Sequence, residues 1–564
     1  MVSEQAGVAD NRLKSTSMVE RYSEVRRTDQ DCIDLACMSQ SLFSVSIYDT
    51  LGPDTTEYII NHAEVTIVVA SLNHIPTLLK LKPRCPTLKV IVSIDPLEAG
   101  EPTGLSKGDL LRKMSADLDV KIVSFTDVEA IGEKSLLSMV PPKPEDTVTI
   151  NYTSGTTGNP KGVVLTHRAA VAASSASLIA APQQSTNTGF SYLPLAHIYE
   201  RNSEQSAMAA GTGIAFFKGN PLDIVDDMKL CKPTGFIGVP RIYNRFGSTV
   251  KAMSTEAPGW KGTMSRHIIQ TKLAAMKNPD SPDATSTHAI YDRVLGQQLL
   301  KLFGLERAQY MISGSAPLDP DLHRLLRAAL PTRVAQGYGM TETYAVSLVQ
   351  LEGDLSTGNC GAVAPCYELC LQDVPDMEYL STDKPHPRGE LLIRGNSLFK
   401  EYYKNPEETA KTMTTDGWLR TGDIATVDEL GRFKIIDRRK NVLKLAQGEY
   451  VSPERIENVY LSNLSYLSAA YVHGDSSQAH LVMIAAVMPD AFAAFAGKIL
   501  GKQIAATDYP AIVAAAGEQK VRQAVLKDLD KVGRKSKFNS YERVRNVVIM
   551  LEPFTIDNEL LTPT

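Results

Sequence analysis

The chain has 564 residues, 43% hydrophobic and 22% charged, with a formal net charge of −5 at pH 7. That length exceeds one small core and suits two or three domains, and the mildly acidic balance argues against a nucleic-acid partner, which would leave a strongly basic domain. The 7 cysteines, spread from Cys32 to Cys370, do not make a secreted disulfide framework.

Cys360, Cys366 and Cys370 lack the CxxC pairs and nearby histidines of a zinc site and read as buried thiols. No run approaches the ~20 uninterrupted apolar residues of a membrane span. The richest, Leu481 to Leu500, is cut by Pro489 and Asp490. The N-terminus is polar, without an apolar signal-peptide core. The last residues, Leu-Thr-Pro-Thr, are not a peroxisomal Ser-Lys-Leu address. The expectation is an intracellular protein, soluble or in peripheral contact with a membrane.

Taken in chain order, residues 1–30 are polar and read as an irregular arm. Val65-Thr-Ile-Val-Val-Ala and Leu88-Lys-Val-Ile-Val-Ser-Ile read as buried strands. A Pro-rich connector, Pro141-Pro-Lys-Pro, precedes the strand Thr147-Val-Thr-Ile-Asn-Tyr. Alternating strand and helix patterns continue over 150–430 and argue for α/β layers. After Asp437-Arg-Arg-Lys440 come a predicted helix from Pro453 to Leu461 and a strand from Leu481 to Val487. Further helices follow, enough for a separate small α+β domain.

The segment Tyr152-Thr-Ser-Gly-Thr-Thr-Gly-Asn-Pro-Lys-Gly162 carries the clearest chemistry. Gly155, Gly158 and Gly162 let the backbone approach a ligand closely. Backbone N–H groups and the hydroxyls of Thr153, Ser154, Thr156 and Thr157 can donate to phosphate oxygens. Lys161 adds a point charge. It is not a Walker A loop, because the Gly-Lys-Ser/Thr ending is absent. A second cluster is Gln336-Gly-Tyr-Gly-Met-Thr-Glu342. Gly337 and Gly339 clear the backbone on both sides of Tyr338, whose ring can stack on adenine. Thr341 can donate to an α-phosphate, and Glu342 offers a hard oxygen for Mg²⁺. In Asp416-Gly-Trp-Leu-Arg-Thr-Gly-Asp423, the Asp423 carboxylate suits two ribose hydroxyls.

These segments resemble the signature motifs of the adenylate-forming superfamily, and within it the long-chain acyl-CoA synthetases. Ile47-Tyr-Asp-Thr-Leu-Gly-Pro53, Leu193-Pro-Leu-Ala-His-Ile-Tyr-Glu-Arg201 and Lys444-Leu-Ala-Gln-Gly-Glu-Tyr450 add to the likeness. The last is similar to the fungal peroxisomal branch. The resemblance implies an α/β fold: a large multi-subdomain N-terminal domain over 31–439, then a small mobile α+β domain over 440–564. It implies ATP-dependent activation of a medium- or long-chain fatty acid to acyl-AMP and transfer to coenzyme A. The setting would be fatty-acid metabolism or a fungal specialised-metabolite pathway, in peroxisome or cytoplasm.

By the same resemblance Gly314 and Ser315 border adenine and the acyl pocket, and Arg438 lies near ribose and phosphate. His197 sits where acyl pocket and thiol tunnel meet, with Tyr199, Phe236 and Phe216 as pocket candidates. Lys440 falls at the interdomain hinge, and Lys444 and Gly448 face the thiol tunnel. The basic run from Lys531 to Lys537 reads as a solvated face, with a coenzyme A phosphate as the other reading. Family members carry a lysine just beyond a stretch like Leu561 to Thr564, and a longer N-terminal segment. The expectation is therefore weakened adenylation relative to thiol transfer. Two alternatives stay open: a ligase loading a carrier-protein thiol, and a catalytically silent nucleotide- or acyl-binding homologue. Oligomeric state is not legible.

Overall fold

The computed structural model describes residues 17–21, 27–47, 52–97, 106–135, 137–153, 159–220, 223–439, 443–446, 449–475, 477–552 and 554. Its first layer is an eight-stranded sheet. The strand order is Glu401–Tyr402, Lys161–Thr166, Thr147–Thr153, Phe43–Ile47, Ser17–Arg21, Ile67–Ala70, Val90–Ser93 and Lys121–Ser124. From Thr147–Thr153 to Lys121–Ser124 neighbouring strands run parallel. Thr147–Thr153 buries five consecutive residues, Val148 to Tyr152, as a parallel strand covered on both faces must.

Two features depart from the sequence reading. Residues 1–30 include the strand Ser17–Arg21, seated between Phe43–Ile47 and Ile67–Ala70, and the first residues of the helix Arg27–Ser39. Ser-Met-Val-Glu-Arg is too short and too polar to announce a central strand; its two sheet neighbours supply the pairing. Cys360 is buried, but Cys370 is exposed. It lies in the strand Tyr367–Gln372, whose outward positions Glu368, Cys370 and Gln372 alternate with more buried ones.

A second sheet runs Gly235–Gly238, Tyr310–Ser313, Arg333–Tyr338, Leu348–Val349, Ala362–Val363, with the first three strands parallel. An aromatic column backs it. Tyr192 stacks on Phe236 at 5.7 Å, and Phe236 leads through Phe246 to Phe303. The helix Pro240–Met253 lies on this column through Tyr243, Phe246, Gly247 and Val250. Each large side chain so buried contributes on the order of 1.5–3 kcal/mol. A third, antiparallel sheet comprises Tyr367–Gln372, Arg388–Gly395, Leu419–Val427 and Phe433–Arg438.

Residues 445–547 gather around a hydrophobic cluster of their own, centred on Ile456, Tyr460, Phe492 and Leu529. The expected helix there spans Pro453–Asn463 and the expected strand Leu481–Val487. The latter is the middle strand of a three-stranded sheet. No helix among the described residues is long and apolar enough to cross a membrane.

Candidate active site

The site forms where parallel strands end, the usual place for a ligand in an open α/β sheet. Thr153 closes the strand Thr147–Thr153 and Lys161 opens the antiparallel strand beside it, the two residues facing each other in register. The strand Tyr310–Ser313 delivers Gly314 and Ser315, and Arg333–Tyr338 delivers Tyr338, Gly339, Thr341 and Glu342. Asp423 and Arg438 come from neighbouring antiparallel strands and are register partners. All of these residues, together with His197, line one cavity of about 2540 Å³.

Tyr338 donates its hydroxyl to Asp423 Oδ2 at 2.5 Å, and Arg438 Nε donates to Oδ1 at 3.1 Å. Burial raises the Asp423 pKa, opposed chiefly by the Arg438 charge. Each oxygen keeps a lone pair for a ligand hydroxyl. Glu342 is buried, and its Oε1 accepts from Tyr402 Oη at 2.7 Å. Burial raises its pKa too.

Lys161 is not a free cation. Its Nζ donates to Glu408 Oε2 at 2.5 Å and sits 5.2 Å from the Tyr402 ring centre. Lys411 holds the other Glu408 oxygen at 2.7 Å. Hydrogen bonds from Lys161 and then Lys411 bring the Glu408 pKa down to about 2. Glu408 and Tyr402 were not legible in the sequence. Glu408 stands in the first turn of the helix Pro406–Thr412, which Asn405 caps.

Two backbone positions explain the motif spelling. A Cβ on Gly339 would lie 1.4 Å from the Ala345 carbonyl oxygen, so only glycine lets the chain pass there. One on Gly314 would press on the Tyr199 ring at 3.2 Å, and Ser315 adopts φ 71°.

His197 is held from several sides. Asn151 Nδ2 donates to the Ala196 carbonyl at 2.8 Å, and Tyr199 Oη donates to the Ile312 carbonyl at 3.1 Å. The Tyr199 amide donates to His197 Nδ1 at 3.2 Å, which leaves Nε2 as the protonated nitrogen of a neutral ring. Burial pulls the His197 pKa down to about 4. Arg201, fully buried, ties the segment to Asp34 and, at 3.0 Å, to Ser46 Oγ.

Several expected residues fall elsewhere. Ser154, Gly155, Thr156, Thr157, Gly158, Lys440 and Gly448 lie outside the described residues, as does Leu561 to Thr564. Lys444 stands in a two-residue strand paired with Tyr450–Val451. Tyr199 lines the cavity, but Phe236 is a core residue and Phe217, not Phe216, reaches the wall. Strand alternation turns Phe216 away. The basic run from Lys531 to Lys537 does not line the cavity; Arg534 pairs instead with Asp530. No cluster of three or more His, Cys, Asp or Glu suited to a metal occurs among the described residues.

Residues 26–403 match the family model of AMP-binding enzymes. Acyl-CoA ligase 891, a peroxisomal protein of Penicillium brevicompactum, is 58% identical over 538 residues, covering 95% of this chain and 76% of that protein. The peroxisomal long chain acyl-CoA synthetase 6 of Arabidopsis thaliana is 38% identical over 541 residues, covering 96% of this chain and 74% of that protein. Among solved structures, the A domain of the carboxylic acid reductase of Segniliparus rugosus, in complex with AMP and a co-purified carboxylic acid, superposes with a TM-score of 0.75. It is 25% identical, with 99% of this chain and 80% of that chain covered.

Proposed function

The chain belongs to the AMP-binding enzyme family, and from that membership we propose that it is an acid–thiol ligase joining a medium- or long-chain fatty acid to coenzyme A at the expense of ATP. The observation that carries the reading is one shared cavity. The residues read here as phosphate, ribose and adenine contacts line it together with His197 and Tyr199, which supports the reading. The names of the relatives support the substrate class, and those two relatives being peroxisomal favours that compartment over the cytoplasm.

In this reading the fatty carboxylate attacks the α-phosphorus of ATP. A carboxyl O–P bond forms, the bond to the β-phosphate oxygen breaks, and pyrophosphate departs. The thiol then attacks the acyl carbonyl, the proton leaves the sulfur, and AMP departs with the electron pair of the cleaved C–O bond. Both partners of the first step are anions, so the barrier is largely electrostatic and positional. Thr153, Lys161 and the loop from Ser154 to Gly158 take the phosphates. Tyr338 and Gly339 take adenine, bordered by Gly314 and Ser315, and Thr341 takes the α-phosphate. Asp423 and Arg438 take the ribose.

Glu342, a buried carboxylate on the cavity wall with a lone pair to spare, suits Mg²⁺, which prefers one or two carboxylates plus substrate phosphates. The ion would supply charge compensation for the phosphates. Neutral His197 positions the acyl carbonyl between the two half-reactions. Residues 31–439 form the adenylation domain and 440–564 the small domain, which reorients about Lys440 and brings Lys444 toward the thiol path; the separate core of residues 445–547 supports that division.

The test is pyrophosphate release from ATP across short to very long fatty acids, with coenzyme A, with a phosphopantetheinyl carrier protein, or with neither. Acid-dependent release that turns over with coenzyme A is the expected result. Turnover with the carrier alone would replace the acceptor. ATP binding without any release would overturn the enzyme reading.

A further inference from the structure

The helix Pro240–Met253 divides cleanly. Tyr243, Phe246, Gly247 and Val250 are buried, whereas Arg241, Asn244, Arg245 and Ser248 line the cavity. The spacing puts both arginines on one face, a single turn apart. Most other cations of the cavity wall are held by carboxylates: Lys161 and Lys411 by Glu408, Lys404 by Glu64, Arg438 by Asp423, Arg439 by Glu390; Arg420, the remaining one, stands apart on the third sheet, in the strand Leu419–Val427. Arg241 and Arg245 are exposed and have no hydrogen bond or ion pair among the described residues. The carboxylate that Arg245 influences, Asp226, is itself bonded to Lys229 at 2.9 Å.

Two unmatched guanidinium groups at this spacing, in a cavity rather than on an open face, suit a ligand with more than one phosphate. The phosphates of ATP belong to the opposite side, at Thr153 and Lys161 on the first sheet. The fatty carboxylate is consumed beside His197. The remaining polyanion is the thiol donor. Resting on the coenzyme A reading above, we infer that Arg241 and Arg245 bind the phosphates at the nucleotide end of coenzyme A.

The location fits. Asn244 accepts a hydrogen bond from Ser462 Oγ at 3.4 Å, and Lys251 Nζ donates to the Ser462 carbonyl at 3.4 Å. The arginine face therefore borders the helix Pro453–Asn463, whose Glu454, Asn458 and Leu461 form the facing wall. Arg241, Arg245 and His197 line the same cavity, the space a pantetheine arm would cross. Both arginines sit on the large body, packed through Phe246 into its core, so they stay in place whatever orientation the small domain takes.

The test compares Arg241→Gln, Arg245→Gln and the double variant with the unaltered chain. Each is assayed for thioester formation from coenzyme A, dephospho-coenzyme A and pantetheine, and for acid-dependent ATP–pyrophosphate exchange. Both side chains are exposed, so the substitutions leave the core intact. The expected result is a rise of about tenfold or more in KM for coenzyme A per arginine, from the loss of charge-assisted hydrogen bonds. KM for pantetheine should stay flat, so the preference for coenzyme A over pantetheine collapses in the double variant. An unchanged KM for coenzyme A, a parallel rise for pantetheine, or a shift in KM for the fatty acid instead would each overturn the inference. If the unaltered chain exchanges pyrophosphate but passes its acyl group to no coenzyme A, the underlying reading fails and this one with it. Thioester formation with an unmoved KM overturns this one alone.

Discussion

Glu408→Gln should tighten ATP binding rather than weaken it. On the proposed reading, Lys161 reaches the phosphates only by letting go of Glu408, which it holds at 2.5 Å with both side chains about a quarter exposed. A partly exposed ion pair of this kind is worth up to ~1 kcal/mol. Lys411 keeps its own bond to Glu408 at 2.7 Å after Lys161 leaves, which lowers the cost of the exchange. Removing the carboxylate charge should therefore lower KM for ATP by up to about fivefold, since 1.4 kcal/mol is a factor of ten. By contrast, Lys161→Ala should raise it by tenfold or more, the weight of a hydrogen bond to a charged group. The assay is ATP–pyrophosphate exchange at saturating fatty acid, repeated at low and high salt, where the gap between Glu408→Gln and the unaltered chain should shrink as screening rises. If Glu408→Gln instead raises KM for ATP or depresses kcat, Glu408 positions Lys161 productively and the competition argument is wrong.

Gly339→Ala should destabilise the chain and abolish pyrophosphate exchange, because its new methyl would overlap the Ala345 carbonyl; a melting temperature within a degree of the parent would refute this. Asp31, held up to about 9 by burial and then by the Glu204 charge, binds a proton in the folded state that the unfolded chain releases near 3.8. Its stabilising effect is present below that pH and drains away as pH rises through about 9. Asp31→Asn should flatten that fall in urea melts between pH 6 and 9. His197 has the opposite sign: its pKa is depressed to about 4 from 6.5, so stability is lost as pH falls through that window. His197→Gln should blunt the acid limb of a thermal-melt series, and the activity profile should show no ionisation of His197 above about pH 5.

What the sequence discloses and what it withholds follow different physics. Strands with a buried face, such as Thr147–Thr153 and Leu481–Val487, write themselves as short runs rich in β-branched or apolar residues, even where a member such as Val482 is exposed. The positions that need glycine or hydroxyls near a phosphate write themselves as motifs. The Asp423–Arg438 pair was visible as two separate motif residues, but only strand register makes them neighbours. Partners of the candidate site residues leave no such trace. Glu408 meets Lys161 across 247 residues and Tyr402 meets Glu342 across 60, and neither spacing is a period of anything. Ser17–Arg21 is hidden for a related reason, since its strand character comes from the neighbours on each side. Arg241 and Arg245 carry no motif, and only the cavity shows which face of the helix Pro240–Met253 is left open.

The burial of Arg201 has a consequence for how defects in this protein will present themselves. Its guanidinium is sealed from solvent and answered by Asp34 and Ser46, on elements of the first sheet layer. Four residues before it stands the imidazole of His197, on the cavity wall. Neutralising Asp34 would weaken the pairing of a buried charge, at a cost of up to about 3–5 kcal/mol, and the relief available to the chain is to let the 193–201 segment shift. The first symptom of damage at position 34 would then be a misplaced His197 in a chain that still folds. A variant at position 34 would be scored as an enzymatic lesion by activity and as benign by circular dichroism, although its origin is architectural.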